Sequence, residues 1–204
     1  YMTLIDEKNK EHASLDARMQ VDADLARLKK YVLTDLHGQR IPNVINVTLN
    51  RPAVFAANVI AALGGAKQQT IVESGNRGID TKLIESFQEA AFASANAMLR
   101  KQAGRGSLNV FTDHHICLRG RAARRVLFRE ENGILIPEIT PWDGRHVRYE
   151  TDDDGLVWAA YLNTRSKRQI EEKYHITVAG ETGKVWDVWD REHNEVFVDA
   201  VRAF

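Results

Sequence analysis

Val126-Leu127-Phe128-Arg129-Glu130-Glu131-Asn132-Gly133-Ile134-Leu135-Ile136-Pro137 is two apolar runs joined by Asn-Gly. Asn and Gly both accept the positive φ that a two-residue hairpin turn demands, so the stretch signals a β-hairpin. C-terminal to it, segments 133–139, 145–150 and 156–163 read as strands, and Asp153-Asp154-Gly155 supplies a second turn. N-terminal to it, the strand-like character extends back through 115–130 and 107–112. Residues 165–174 read as a short helix, with Ser166 as N-cap and Gln169 standing where a capping box has its Glu or Gln. Lys184 to Trp189 and Glu195 to Val201 read as a hairpin around Arg191-Glu192-His193-Asn194.

Upstream of residue 107 the period changes. Leu15, Met19, Leu25, Leu28 and Val32 fall near helical spacing, which predicts a helix over 15–33. A β-branched run, Val44 to Thr48, follows. Asn50-Arg51-Pro52 then opens a helix over 53–63, with Pro52 suited to its first turn and apolar residues on all sides, a pattern that predicts burial. Lys67 to Ser74 reads as a strand. Leu83, Ile84, Phe87, Ala91, Ala95, Met98 and Leu99 form one stripe of a helix over 80–101 and are the expected core, and Gly104-Arg105-Gly106 ends that helix. The expected fold is α+β: N-terminal helices (about 15–33, 53–63 and 80–101) packed on a C-terminal antiparallel β-rich unit. The composition break divides the chain into 1–106, helical, and 107–204, β-rich.

The 204 residues are 44% hydrophobic and 27% charged, which excludes a disordered chain, a collagen and a disulfide scaffold. The 28 Lys and Arg balance 28 Asp and Glu, so any polyanion contact must come from a local patch. The single cysteine, Cys117, has no internal disulfide partner and reads as a small core residue. No apolar run approaches the roughly 18 residues that span a bilayer, and no membrane partner is expected.

The motifs that carry chemistry are sparse. Asp113-His114-His115 is the densest group of possible ligands or acid–base residues. On a strand His114 and His115 point to opposite faces, and Asp113 with His115 gives too few ligands for a zinc site. Asp152-Asp153-Asp154-Gly155 lacks the alternating ligand spacing of a calcium loop and reads as a solvated turn. No phosphate-binding glycine loop and no nucleophile elbow is present. No catalytic set, no metal site and no cofactor is therefore expected. The four tryptophans, Trp142, Trp158, Trp186 and Trp189, read as packing residues; the parity of Trp186 and Trp189 puts only one of that pair inward.

Charge is more informative. Residues 100–130 hold eight Lys and Arg against Asp113 and Glu130, a net +6. Read as a strand, 116–129 sorts by parity: Ile116, Leu118, Val126 and Phe128 on one face, Arg119, Arg121, Arg125 and Arg129 on the other. Such a face suits phosphates, or the carboxylates of a neighbouring subunit. Residues after 130 are acidic on balance, so copies of the chain have the means to pair head to tail, and such contacts close into rings.

Several phrases resemble the wing region of a tailed-phage portal protein: Asn46 to Pro52 with the helix after it, Cys117-Leu118-Arg119-Gly120-Arg121 leading into Val126-Leu127-Phe128, and Ile139-Thr140-Pro141-Trp142-Asp143. Gly155-Leu156-Val157-Trp158-Ala159-Ala160-Tyr161 and the Arg165 to Tyr174 helix extend the resemblance over about 15–200. It implies a structural protein, not an enzyme. Its place would be the virion, at one capsid vertex, after synthesis in the host bacterial cytoplasm. It implies a homo-oligomeric ring, a dodecamer when full length, through which genomic DNA is packaged and ejected. It implies contacts with capsid or scaffolding protein, and with terminase and double-stranded DNA through parts outside this chain. The stem, clip and crown of the family are not seen in the sequence, so the chain is expected to be a wing-containing fragment, or a processed or partly ordered product. Two other readings compete: a nucleic-acid-binding module using the Arg119, Arg121, Arg125 and Arg129 face, and a metal-dependent hydrolase centred on Asp113 and His115.

Overall fold

The computed structural model describes residues 1–66, 70–101 and 106–203. In chain order it has helices α1 (Met2–Ala26), α2 (Arg51–Gly65), α3 (Thr81–Lys101) and α4 (Leu108–Arg119), then strands β1 (Ala123–Glu131) and β2 (Ile134–Trp142). A 3-10 turn (Gly144–His146) leads to β3 (Val147–Asp152), β4 (Gly155–Ser166), α5 (Lys167–Tyr174), β5 (Thr182–Asp190), β6 (Asn194–Val198) and β7 (Val201–Arg202). β1 and β2 pair alone, while β3 to β7 form an antiparallel sheet in chain order. The fold is α+β.

Two compact units divide the chain. One joins Tyr1–Ala17 to Trp142–Phe204, and the other is Arg18–Pro141. Their boundaries fall inside α1 and inside β2, away from the composition break near residue 107, because contact rather than composition defines them.

The first unit is built on the five-stranded sheet. Leu162 faces Trp186 across β4 and β5, and Trp186 faces Phe197 across β5 and β6. Period-2 alternation then sorts the core. Trp158, Ala160, Trp186, Val188 and Phe197 share one face and are covered by Ile5, with Tyr1 and Met2 beside it. Val185, Val196 and Val198 point to the other face, where Ile170 and Val178 pack. Trp186 is buried and Trp189 half-buried, as their parity requires, and Trp142 stacks on Tyr161 at 4.8 Å. Complete burial of a side chain such as Ile5 contributes about 1.5–3 kcal/mol.

Two local devices fix α5. The Ser166 hydroxyl accepts from the Gln169 amide at 3.4 Å while the Gln169 side chain accepts from the Ser166 amide at 3.2 Å, the capping box expected at this helix start. Gly183 lets the helix lie close to β5: a Cβ at that position would sit 2.7 Å from Ile170 Cδ1 and 3.1 Å from Val178 Cγ1.

Arg148 ties α1 to the sheet. The residue is 6% exposed. Its Nε donates to Asn9 Oδ1 at 2.7 Å, its Nη1 to the Arg145 and Val147 carbonyls at 2.9 Å each, and its Nη2 to Asp16.

The second unit has a smaller core of Ala91, Ala95, Leu99, Leu108 and Ile139, flanked by Phe92. Here the structure corrects several expectations. Segment 107–112 and the first part of 115–130 are helix, not strand. Ser107 caps α4 by accepting from the Val110 amide, Leu108 is held by Asn96 Oδ1 at 2.7 Å, and Gly120 closes the helix at φ 69°. The buried residues of α4, Leu108, Thr112 and His115, follow helical spacing. Helix α1 lies earlier than 15–33, and residues 29–33 are not helical. Val44 to Thr48 pairs with no strand, and neither do 70–74; Lys67, Gln68 and Gln69 lie outside the described residues, as do Gly104 and Arg105 of the expected helix end. In α3 the stripe is buried only at Ala91, Ala95 and Leu99, while Leu83 is 67% exposed and Phe87 and Met98 are also exposed. α2, expected to be buried, is fully buried only at Ala56, with Pro52, Ala53, Val59 and Ile60 half-buried and the rest exposed. Asn132 and Gly133 both have positive φ, 55° and 76°, and close the β1–β2 hairpin as expected.

All four tryptophans lie in the first unit, so tryptophan fluorescence in urea reports its unfolding. Arg148→Ala leaves the Asp16 carboxylate without its ion-pair partner and is expected to lower that unit's stability by about 3–5 kcal/mol. Gly183→Ala displaces the packed Ile170, Asp199 and Val178 side chains and is expected to cost about 1–3 kcal/mol. A loss below about 0.5 kcal/mol for either would contradict the packing described.

Candidate functional site

The arginine-rich segment spans three kinds of local structure. Arg119 closes the last turn of α4, Arg121 lies in the link after Gly120, and Arg125 and Arg129 lie on β1. The expected single strand face therefore does not form: Arg119 belongs to a helix, and the left-handed Gly120 and the link after it stand between that helix and the strand.

Each arginine has its own surroundings. Arg119 Nε donates to His115 Nδ1 at 3.2 Å, and the His115 ring lies 4.0 Å from that of Phe111. Arg124 Nη2 donates to Thr112 Oγ1 at 2.8 Å, and its guanidinium sits 5.8 Å from the Phe92 ring centre, within cation–π range. Burial lowers the Arg124 pKa, and the Asp113 charge opposes that shift. Arg121 Nε and Nη2 are buried and have no hydrogen-bond partner among the described residues.

Arg125 and Arg129 do share a face, because they are four residues apart on one strand. Between them they hold Glu138 of β2: Arg125 Nη2 lies 3.2 Å from Oε1 and Arg129 Nε 3.2 Å from Oε2. Arg129 Nη1 also lies 3.1 Å from Glu131. Both oxygens of Glu138 are thus in use, and each arginine has committed part of its donor fork to a carboxylate of its own chain. On the same strand Phe128 stacks on Phe87 of α3 at 6.4 Å.

Asp113, His114 and His115 lie on α4, so the alternating strand geometry expected of them does not apply. Residues two apart on a helix diverge, which separates Asp113 from His115. His115 is buried and bonded to Arg119, a packing arrangement. Among the described residues no group of three or more His, Cys, Asp or Glu is placed to hold a metal ion. Asp153 and Asp154 form the turn between β3 and β4, with Asp152 Oδ1 accepting from the Asp154 amide at 2.9 Å. Cys117 is half-buried and packs near the Ala56 carbonyl.

Sequence reasoning missed Glu138 and Thr112, the partners that decide what the arginines do. A carboxylate at a mid-strand position of an otherwise apolar run, Ile134 to Trp142, was the available signal for Glu138. No internal signal marked Thr112.

A concave region of about 240 Å³ in the first unit is lined by Tyr1, Val157, Trp158, Asp190, Arg191 and Glu192. The Tyr1 hydroxyl donates to Asp190, which also accepts from the Glu192 and His193 amides. That phenolic hydrogen bond, with the two amide bonds, holds the Asp190 carboxyl down at about 2 and pushes the Tyr1 phenol up to about 12. No protein-family model matches the chain, and no curated protein matches it significantly.

Two outcomes follow for measurement. Glu138→Ala frees the two β1 arginines to repel each other; because the pairs are partly exposed, the cost is expected at about 0.5–1 kcal/mol for each pair, read from faster amide exchange in β1 and β2. The Asp190 contribution to stability is fully present above pH 3.8, its unperturbed value, and fades as pH falls toward 2. The Tyr1 contribution is present below pH 10 and fades as pH rises toward 12. Tyr1→Phe is expected to flatten both limbs of the pH–stability curve, and unchanged limbs would contradict this account.

Proposed function

We propose that the chain is the wing part of a tailed-phage portal subunit, a non-catalytic component of the ring through which the genome is packaged and ejected. The observation that carries this reading is the apolar surface of the second unit. Helix α2, RPAVFAANVIAALGG, is apolar nearly throughout, yet only Ala56 is buried. Phe55 is 69% exposed, Ile45 90% and Leu83 67%. A helix apolar on all sides belongs in an interior, and contiguous apolar surface on a folded unit marks an interaction site. A subunit finished by its neighbours in a ring has such a surface.

Charge supports the same reading. The second unit carries 17 Lys and Arg against 11 Asp and Glu, net +6; the first carries 11 against 17, net −6. Each copy thus offers a positive and a negative body, the electrostatic requirement for a repeated head-to-tail contact. The inward commitment of Arg125 and Arg129 to Glu138 favours a protein role for β1 over a phosphate-binding strand face. Terminase and DNA contacts belong, on this reading, to parts of the family outside residues 1–204.

The test is electron microscopy and native mass spectrometry of the full-length protein. Closed rings of about twelve subunits with a central channel are expected. A stable monomer at micromolar concentration, binding nucleic acid with a steep salt dependence, would replace this reading with the nucleic-acid module.

A further inference from the structure

We infer that the acidic β3–β4 turn of one copy docks into an apolar cleft in the second unit of the next copy, an inference that rests on the ring reading above. The cleft has a volume of about 590 Å³. Val21, Leu25, Tyr31, Val32, Val47 and Leu49 supply its apolar walls, and Lys30 and Arg51 supply charge at its edge. Lys29 also lines it, but that ammonium is engaged by Asp24 at 2.7 Å. Lys30 and Arg51 are exposed and have no ion pair among the described residues. The backbone that forms one wall is already extended: the Tyr31 amide donates to Thr48 Oγ1 at 2.9 Å, and the Leu33 amide to Asn46 Oδ1 at 2.6 Å.

The turn has the complementary pattern. Asp152 is occupied by Arg191, whose Nη2 lies 3.1 Å from both carboxylate oxygens. Asp153 and Asp154 are exposed and have no ion pair among the described residues. Leu156 follows two positions later, 54% exposed on a strand whose next inward residue is the buried Trp158. Two free carboxylates beside an exposed leucine therefore face solvent on the unit of charge −6. Two free cations beside an apolar cleft face solvent on the unit of charge +6. The occupant is a second copy of this chain because the turn supplies both the charge and the apolar anchor that the cleft lacks. The contact joins different patches and so repeats around a ring.

The experiment uses the full-length protein. Lys30→Glu with Arg51→Glu, and separately Asp153→Lys with Asp154→Lys, are each expected to weaken subunit association about tenfold, and the four changes combined in one chain to restore it. Rings that form equally well in both reversed proteins overturn the docking while leaving the ring reading in place. Impaired association without restoration in the combined protein overturns it as well. Should a reversed protein fail to fold, a photo-crosslinking phenylalanine analogue at Leu156 in the otherwise unaltered chain decides. With a mixture of ¹⁴N- and ¹⁵N-labelled protein, mixed-label cross-links to Val47 or Leu49 are expected. Cross-links confined to one label, or to other residues, overturn the contact. An unaltered protein that stays monomeric overturns both the docking and the ring.

Discussion

Arg148 enters the interior of the first unit with a charge that water would otherwise solvate. Removing a guanidinium from water is costly, and the cost is met only where several acceptors converge on it. Here a carboxylate, an amide oxygen and two backbone carbonyls do so. Asn9 and Asp16 are seven residues apart on α1, two turns of helix, and so lie along the same side. That spacing sets the rotation of α1, and the rotation places Ile5 over the tryptophan-rich face of the sheet. The core on that face could not close with α1 turned away, because Ile5 would then lie in solvent and Arg148 would be buried without its anion.

The second unit is organised differently. Its core is small, two alanines of α3 with Leu99, Leu108 and Ile139, and its large apolar residues lie mostly outside. Alanine stripes bury little area per residue, so α3 contributes less hydrophobic stabilisation than a helix of its length with leucines in the same positions. The hairpin of β1 and β2 has only two strands, which are marginal alone, and it leans on α3 through Phe128 and Phe87. A unit organised in this way gains from external cover, whereas the first unit, with a helix on each face of its sheet, is complete as it stands.

The legible parts of the sequence were those written locally. Asn132-Gly133 and Asp153-Asp154-Gly155 need only their own backbone preferences, and Ser166 with Gln169 needs three residues. The strands of the sheet were legible because they are short apolar runs bounded by turn residues, although β5 and β6 bury side chains on both faces. α4 was misread because Val110, Phe111, Ile116 and Cys117 have the look of a strand, while the signals that decide the matter, Ser107 before it and Gly120 after it, are single residues. The first half of α1 was missed because its polar surface hides one decisive apolar contact, at Ile5. The arginines were visible as charges, and Glu131, two residues from Arg129, was open to a local reading as its counter-charge; the other partners were not, for Glu138 reaches the β1 arginines across a turn and Thr112 reaches Arg124 from another element. Pairings of that kind depend on tertiary geometry that no window of sequence contains.

The split of the first unit into two stretches of chain also orders events during synthesis. Tyr1 and Asp190, which share a hydrogen bond in the finished unit, are separated by 189 positions. At the ~5–20 residues per second of translation, α1 emerges roughly 10–40 s before its last sheet partners. Residues 18–141 are all made in the interval, so the second unit has every residue it needs while the first still lacks its sheet. Ile5 and the apolar residues near it spend that time with no native surface to cover them. Long sequence separation of this kind slows folding and exposes the nascent chain to misassociation. A cell making the protein in quantity therefore meets a demand for chaperones at α1 while residues 18–141 are being made, before the strands that cover it exist.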